Sequence, residues 1–265
     1  MTTTTDAHTA GVDSTYRDGV LALTLRNPGK RNALTWSMYE QLDGHLTAAP
    51  TMPDLRAVTI TGGGTDGFAA GTDIAQFREF HGSADGLDYE HRVGRLLARL
   101  QELPVPTIAV VAGAAVGGGL AIAASCDLIV AERGARFGAP IARTLGNCLP
   151  AAVIARLRDK MGHAWTTTLL LTSRNIPAED LAQTGFVSVL VEMGELETTT
   201  ERVLRGLRAS APLTLRAIKQ TLNRLATSPG AVDNDDLLAL CYGSADFREG
   251  VAAFTEKRTP EWKGK

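Results

Sequence analysis

An excess of charge of either sign, metal-ligand clusters and secretory leaders are all missing from this 265-residue sequence, and each absence removes a class of function. Twenty-seven basic against twenty-nine acidic side chains leave a formal net charge of −2. No bulk positive field is available to hold nucleic acid, although a local basic patch for a phosphorylated ligand is compatible with that balance. Three cysteines, Cys126, Cys148 and Cys241, are odd in number and lack paired-ligand spacing, and the five histidines lie apart from them. Neither a disulfide framework nor a metal site is predicted. Inert thiols of this kind fit a reducing, cytoplasmic setting. The opening MTTTTDAHTAGV carries no basic segment followed by an apolar one, and residues 1–14 read as a disordered tail.

From Leu103 to Cys126 no side chain is charged, a length that would suit a membrane helix. Pro104, Pro106, Gly113 and the run Gly117-Gly118-Gly119 interrupt it. A buried strand, a turn and a buried helix explain the span better, and no membrane partner is expected.

What is present alternates. VLALTLR, Val20 to Arg26, has the period of a half-exposed strand, and Asn27-Pro28-Gly29 turns the chain. Thr35 can cap a helix with Trp36, Tyr39, Leu42 and Leu46 on one face. Ala57 to Thr61 and Thr107 to Ala112 read as strands, as does Leu128 to Val130. Val93, Leu96, Leu97 and Leu100 mark a helix at i, i+3, i+4, i+7. Farther on, Val153, Ile154, Leu157 and Met161 predict a helix. Ala178 to Thr184 predicts another, followed by the strand-like FVSVLV. Two late stripes, Leu215, Ile218, Leu222, Leu225 and then Phe247, Val251, Phe254, are expected to be core or subunit contact. Strands alternating with helices predict an α/β fold.

Two turns stand out, FAAGTDI from Phe68 to Ile74 and GAAVGGGLA from Gly113 to Ala121, each between a predicted strand and a predicted helix. Glycine lets backbone approach a ligand, and amides that open a helix have no intrahelical acceptor. Two such turns together could aim two N–H groups at one oxygen, as in an oxyanion hole. A phosphate loop is the rival, but no GxxxxGK[ST] is present, and no GxGxxG joins an early strand to a helix.

Five segments taken in order, LTLRNPGKRNALT, FAAGTDI, VAGAAVGGGLAIAASCDLIVA, ARFGAP and DFREGVAAFTEKRTP, resemble the motifs of the crotonase, or enoyl-CoA hydratase/isomerase, superfamily, over about Tyr16 to Pro260. The resemblance implies a crotonase-like ββα spiral core over residues 15–200 and a C-terminal helical trimerisation region over 201–265. It implies an acyl-CoA small-molecule partner from fatty-acid chemistry, no cofactor and no metal, and a homotrimer or dimer of trimers. By the same resemblance the oxyanion-hole amides belong to Thr72, where relatives usually have alanine, and Gly118. CoA contacts would come from Lys30, Arg31, Ala33, Ala70, Asp73, Ile74 and Lys257.

The chain departs from a hydratase at two places. Relatives carry glutamates that act as base and acid where this sequence has Ala121 and Ile141. A shifted alignment restores neither, because no Asp or Glu lies between Glu102 and Asp127 or between Glu132 and Asp159, and no His between His91 and His163. Arg143, Thr144, Asn147 and Cys148 are the remaining polar candidates near the second position. Three readings stay open: a lyase or isomerase that stabilises a thioester enolate, a catalytically silent acyl-CoA-binding protein, and an α/β enzyme for a non-CoA ligand.

Overall fold

The computed structural model describes residues 2–3, 9–227 and 233–265. Among the described residues ten strands form two sheets. The larger contains β1 (Thr2–Thr3), β2 (Gly11–Arg17), β3 (Val20–Arg26), β4 (Ala57–Gly62), β5 (Thr107–Val111), β7 (Leu128–Glu132) and β10 (Val189–Val191), paired in that order. β1, β2 and β3 are antiparallel, and every pairing from β3 to β10 is parallel. The smaller sheet joins β6 (Ala114–Val116), β8 (Arg136–Gly138) and β9 (Asn175–Pro177).

The period of two in each strand divides the core. Leu21, Leu23 and Leu25 of β3, with Ala109 and Val111 of β5, face the main cluster. Val20, Ile108 and Val110 face a smaller one, closed by Leu204 of α7 (Leu196–Arg208). β5 is therefore buried at all five positions, which explains its unbroken apolar sequence.

Helices α1 (Trp36–Ala48), α2 (Ser83–Glu102) and α3 (Gly118–Ser125) pack on the main face. Thr35 caps α1 as expected, its hydroxyl accepting from the Met38 amide at 3.2 Å. α4 (Ile141–Thr144) and α5 (Ala151–Thr172) follow β8, and α5 breaks at Gly162, where φ is 80°. After α6 (Ala178–Ala182) and α7 come α8 (Pro212–Thr227), α9 (Asp235–Tyr242) and α10 (Ala245–Glu256). None of the described helices is long and apolar enough to cross a membrane.

Three local expectations change and a fourth narrows. Gly11 to Ser14, assigned to the tail, are the start of β2 and pair with Thr24 to Arg26 and Leu23 of β3; backbone bonding to that edge orders them despite their polarity. Thr2–Thr3 of the same tail pair with β2, and residues 1 and 4–8 lie outside the described residues. FVSVLV supplies only three strand residues, because Phe186 and Val187 turn inward as buried side chains before the chain joins β7. Ala114–Val116, read as part of a turn, is a strand of the second sheet. The late apolar stripes are not core in the single chain: Ile218, Leu222, Leu225, Phe247, Val251 and Phe254 are all exposed.

Candidate active site

The two glycine turns meet. Ala69 pairs with β6, its amide donating to Ala114 O at 3.0 Å while its carbonyl accepts from Val116 at 2.9 Å. Gly71 and Asp73 then bracket Leu34, with Leu34 N to Gly71 O at 2.7 Å and Asp73 N to Leu34 O at 2.9 Å. Successive amides in extended chain point to opposite sides. Since the groups on either side of Thr72 face Leu34, the Thr72 N–H faces away from it.

On the second turn the Gly117 amide is taken by Gly138 O at 2.8 Å, and Gly118 opens α3 with an amide that has no intrahelical acceptor. Among the described residues no loop, turn or cap bond uses the Thr72 or Gly118 N–H. Gly71 has φ of 99°, a conformation that favours glycine, and a Cβ there would lie 3.9 Å from Gly118 N. The two loops therefore touch at their glycines.

Both amide-bearing residues line one cavity of about 300 Å³. Its walls are mainly apolar, from Phe77, Val93, Leu97, Ala121, Ile141 and Val153. At its polar end a hydroxyl cluster stands beside the glycines. Thr72 Oγ1 lies 2.8 Å from Tyr39 Oη and 2.8 Å from Tyr89 Oη. Burial pushes both tyrosine hydroxyls above their usual pKa, Tyr39 the further, so both remain neutral donors.

The expected residues separate into three groups. Arg31, Ala70, Thr72, Ile74, Gly118 and Ile141 all line the cavity. Lys30, Ala33 and Asp73 flank it: Lys30 Nζ is 3.8 Å from Asp73 Oδ2, and the Ala33 amide donates to Lys30 O. Lys257 stands apart, exposed at the end of α10 with φ of 55°. Of the polar candidates near Ile141, Thr144 and Asn147 reach the cavity wall, whereas Arg143 and Cys148 are not part of it. Cys126 is sealed in the core, its thiol pushed up to about 12 by burial, and is chemically inert.

With this geometry in view, the comparisons with known proteins decide the family. The enoyl-CoA hydratase/isomerase family model matches residues 15–265. The chain belongs to the enoyl-CoA hydratase/isomerase family. It is 35% identical over 252 residues to the 2,3-dehydroadipyl-CoA hydratase of Escherichia coli, covering 93% of this chain and 96% of that protein. It is 31% identical to a short-chain-enoyl-CoA hydratase of Clostridium acetobutylicum, with coverage of 91% and 93%. A crystal structure of an enoyl-CoA hydratase/carnithine racemase from Magnetospirillum magneticum superimposes with a TM-score of 0.90 at 27% identity, over 99% of this chain and 97% of that one. The mixed α/β architecture with its helical C-terminal region is thus the crotonase fold, and the family's substrates are CoA thioesters used without a cofactor. Among the described residues no group of three His, Cys, Asp or Glu is arranged to hold a metal ion.

The motifs do not point to Tyr89 and Glu90, which line the cavity, or to Tyr39, whose hydroxyl meets that of Thr72. The helical spacing of Tyr39 with Trp36, Leu42 and Leu46 gives no sign of its hydroxyl contact. Tyr89 and Glu90 precede Val93 by four and three positions, so an aromatic hydroxyl and a carboxylate continue the apolar stripe of α2. A carboxylate in register with such a stripe was the available signal.

Proposed function

We propose that this chain binds an acyl-CoA thioester with its carbonyl oxygen between the Thr72 and Gly118 amides and stabilises the enolate that forms there. The observation that carries the reading is the pair of unspent N–H groups, from separate loops, at the polar end of one apolar cavity. Charge that develops on an oxygen in such a site meets fixed dipoles with little water to reorganise. Losing one such donor lowers turnover by about 10²–10³-fold. Arg31 on the cavity wall, with Lys30 and the backbone at Ala33, Ala70, Asp73 and Ile74, forms the side toward which the CoA portion extends; cations and main-chain donors there suit phosphate and adenine. Lys257 lies outside the cavity of the single chain.

Ala121 and Ile141 both face the cavity, and neither can donate or accept a proton. Hydration by two carboxylates at those positions is therefore not this chain's route, and a lyase or isomerase reaction through the enolate fits better. The same substitutions are what favours the second reading, a protein that binds acyl-CoA without turning it over.

Purified protein offered a panel of enoyl-CoA and malonyl-type CoA thioesters, with binding measured in parallel, separates these. Turnover of at least one thioester is expected. Binding without turnover of any would replace the enzyme with the silent binder. Failure to bind CoA thioesters at all would replace both with a non-CoA ligand.

A further inference from the structure

The carboxylates missing from positions 121 and 141 leave open which group moves protons, and α2 offers one. Glu90, Val93, Gly94 and Leu97 line the cavity at i, i+3, i+4 and i+7 along the helix. Glu90 is the only carboxylate among the described lining residues. Charged side chains rarely occupy such a stripe unless paired, yet no hydrogen bond or ion pair holds Glu90 among the described residues. Glu90 directly follows Tyr89, whose hydroxyl lies 2.8 Å from Thr72 Oγ1, and all three residues line the same cavity.

We propose that Glu90 is the catalytic base and acid of this site, removing a proton from the α carbon of a bound thioester and returning it elsewhere on the same acyl chain. The proposal rests on the paired-amide reading above. In the first step the α C–H electron pair becomes the bond between the α carbon and C1, and the carbonyl π pair moves onto the oxygen held by Thr72 and Gly118. Glu90 is then protonated. With a 3-enoyl chain the negative charge extends to the γ carbon. The second step delivers the proton there, the carbonyl re-forms, and the double bond comes to rest between the α and β carbons. Nothing is added and nothing leaves, so one carboxylate suffices where water addition by the family's two-glutamate route uses two. The class of reaction is a double-bond shift along an unsaturated acyl chain.

The electrostatics agree with this use. Partial burial raises the Glu90 pKa, which brings it nearer to working pH. The other titratable side chains that line the cavity are Tyr89 on its own helix and Arg31, and Tyr39 from α1 joins Tyr89 through the Thr72 hydroxyl.

The test follows α-proton exchange of butyryl-CoA in D2O by mass spectrometry, alongside conversion of a 3-enoyl-CoA to the 2-enoyl isomer, and butyryl-CoA binding by calorimetry. Glu90→Gln is expected to lose at least about 100-fold in exchange and isomerisation, with affinity changed less than about threefold. The acid limb of the wild-type pH–rate profile is expected to vanish with it. Glu90→Asp separates chemistry from packing, because it keeps the carboxylate while shortening the side chain; it is expected to retain more exchange than Glu90→Gln. Wild-type exchange in Glu90→Gln overturns the role of Glu90 and leaves the paired-amide reading standing. Equal losses in both variants, with binding lost in parallel, make Glu90 a packing residue and overturn the proposal. A wild-type protein that binds butyryl-CoA but exchanges no α proton overturns both.

Discussion

Gly118 sits where two demands meet, since its amide must stay free and its α carbon must leave room for Tyr39. A Cβ at this position would lie 2.5 Å from Tyr39 Oη and 3.4 Å from both Leu34 Cδ1 and Thr72 Oγ1. Tyr39 is buried, and its hydroxyl is held by Thr72 Oγ1 at 2.8 Å. Gly118→Ala is therefore expected to push the hydroxyl cluster and the amide out of register. A loss of about 10²-fold in turnover would follow from the misplaced donor, with about 1–3 kcal/mol of stability lost to overpacking. Steady-state kinetics on whichever thioester is turned over and urea unfolding of the same sample check both numbers. Thr72→Ala makes the contrasting case. It leaves the main-chain N–H untouched, but it removes the oxygen that Tyr39 and Tyr89 share. Turnover within about tenfold of wild type is expected, because the stabilising group is the amide. Stability should fall by about 1–3 kcal/mol, because the enclosed Tyr39 hydroxyl loses a partner. If Thr72→Ala lost as much turnover as Gly118→Ala, the hydroxyl rather than the amide would be the stabilising group at this position.

At the scale of elements, α8 is fastened to the main sheet by one buried cation. Lys219 Nζ lies 2.7 Å from Asp127 Oδ2 and donates to Val105 O at 2.9 Å, while the same Asp127 oxygen accepts from Thr107 N at 2.7 Å. Lys160 of α5 approaches from another side, donating to the carbonyls of Cys126 and Asp127. Burial lowers the Lys160 pKa to about 8 from its usual 10.5. The folded state thus binds fewer protons than the unfolded one between those values, and stability from this group must rise with pH across that window. The gain is about 3 kcal/mol at roughly 1.4 kcal/mol per pKa unit. Urea unfolding between pH 7.5 and 9.5 (a range chosen to lie about the folded value) should therefore show a more positive slope of stability against pH in wild type than in Lys160→Met, which keeps the opposed contributions of buried Lys219 and Cys126. These ties also mark what the sequence could tell. Helices α1, α2 and α5 were legible because a period of 3.6 reports directly on burial, and β5 because a strand covered on both faces has no polar positions. The converging turns were legible through glycines whose backbone the fold requires. β6 was not, since three small residues between glycines carry no period. Lys219 was not either, because its partner lies 92 positions earlier in the chain and only the packed helix brings them together. Glu90 falls between these cases: its register on α2 was visible, but which face of α2 overlooks the cavity depended on tertiary packing.

For the whole molecule, the unresolved balance is apolar surface on the C-terminal helices. Leu222 is 60% exposed, Val251 54% and Phe254 87%. Scattered single exposures are ordinary, but a run of large side chains on three consecutive helices is more than a stable monomer usually leaves in water. The segment after α10 folds back on that helix and reaches the end of α7. The Trp262 indole donates to Ala209 O at 2.8 Å, and the amides of Lys263 and Gly264 donate to Asp246 at 2.7 and 2.9 Å. A rigid, apolar face that its own chain does not cover is suited to a symmetric contact with further copies. We expect a homotrimer or a dimer of trimers in solution, seen as three or six chain masses by light scattering after size exclusion. Leu222→Lys combined with Phe254→Lys places desolvated charge in that contact and is expected to yield monomers whose far-ultraviolet circular dichroism matches wild type. A wild-type protein that stays monomeric at micromolar concentration would remove the assembly. The exposed stripes of α8 and α10 would then have to face a different partner, because no other part of the described chain reaches over to shield them.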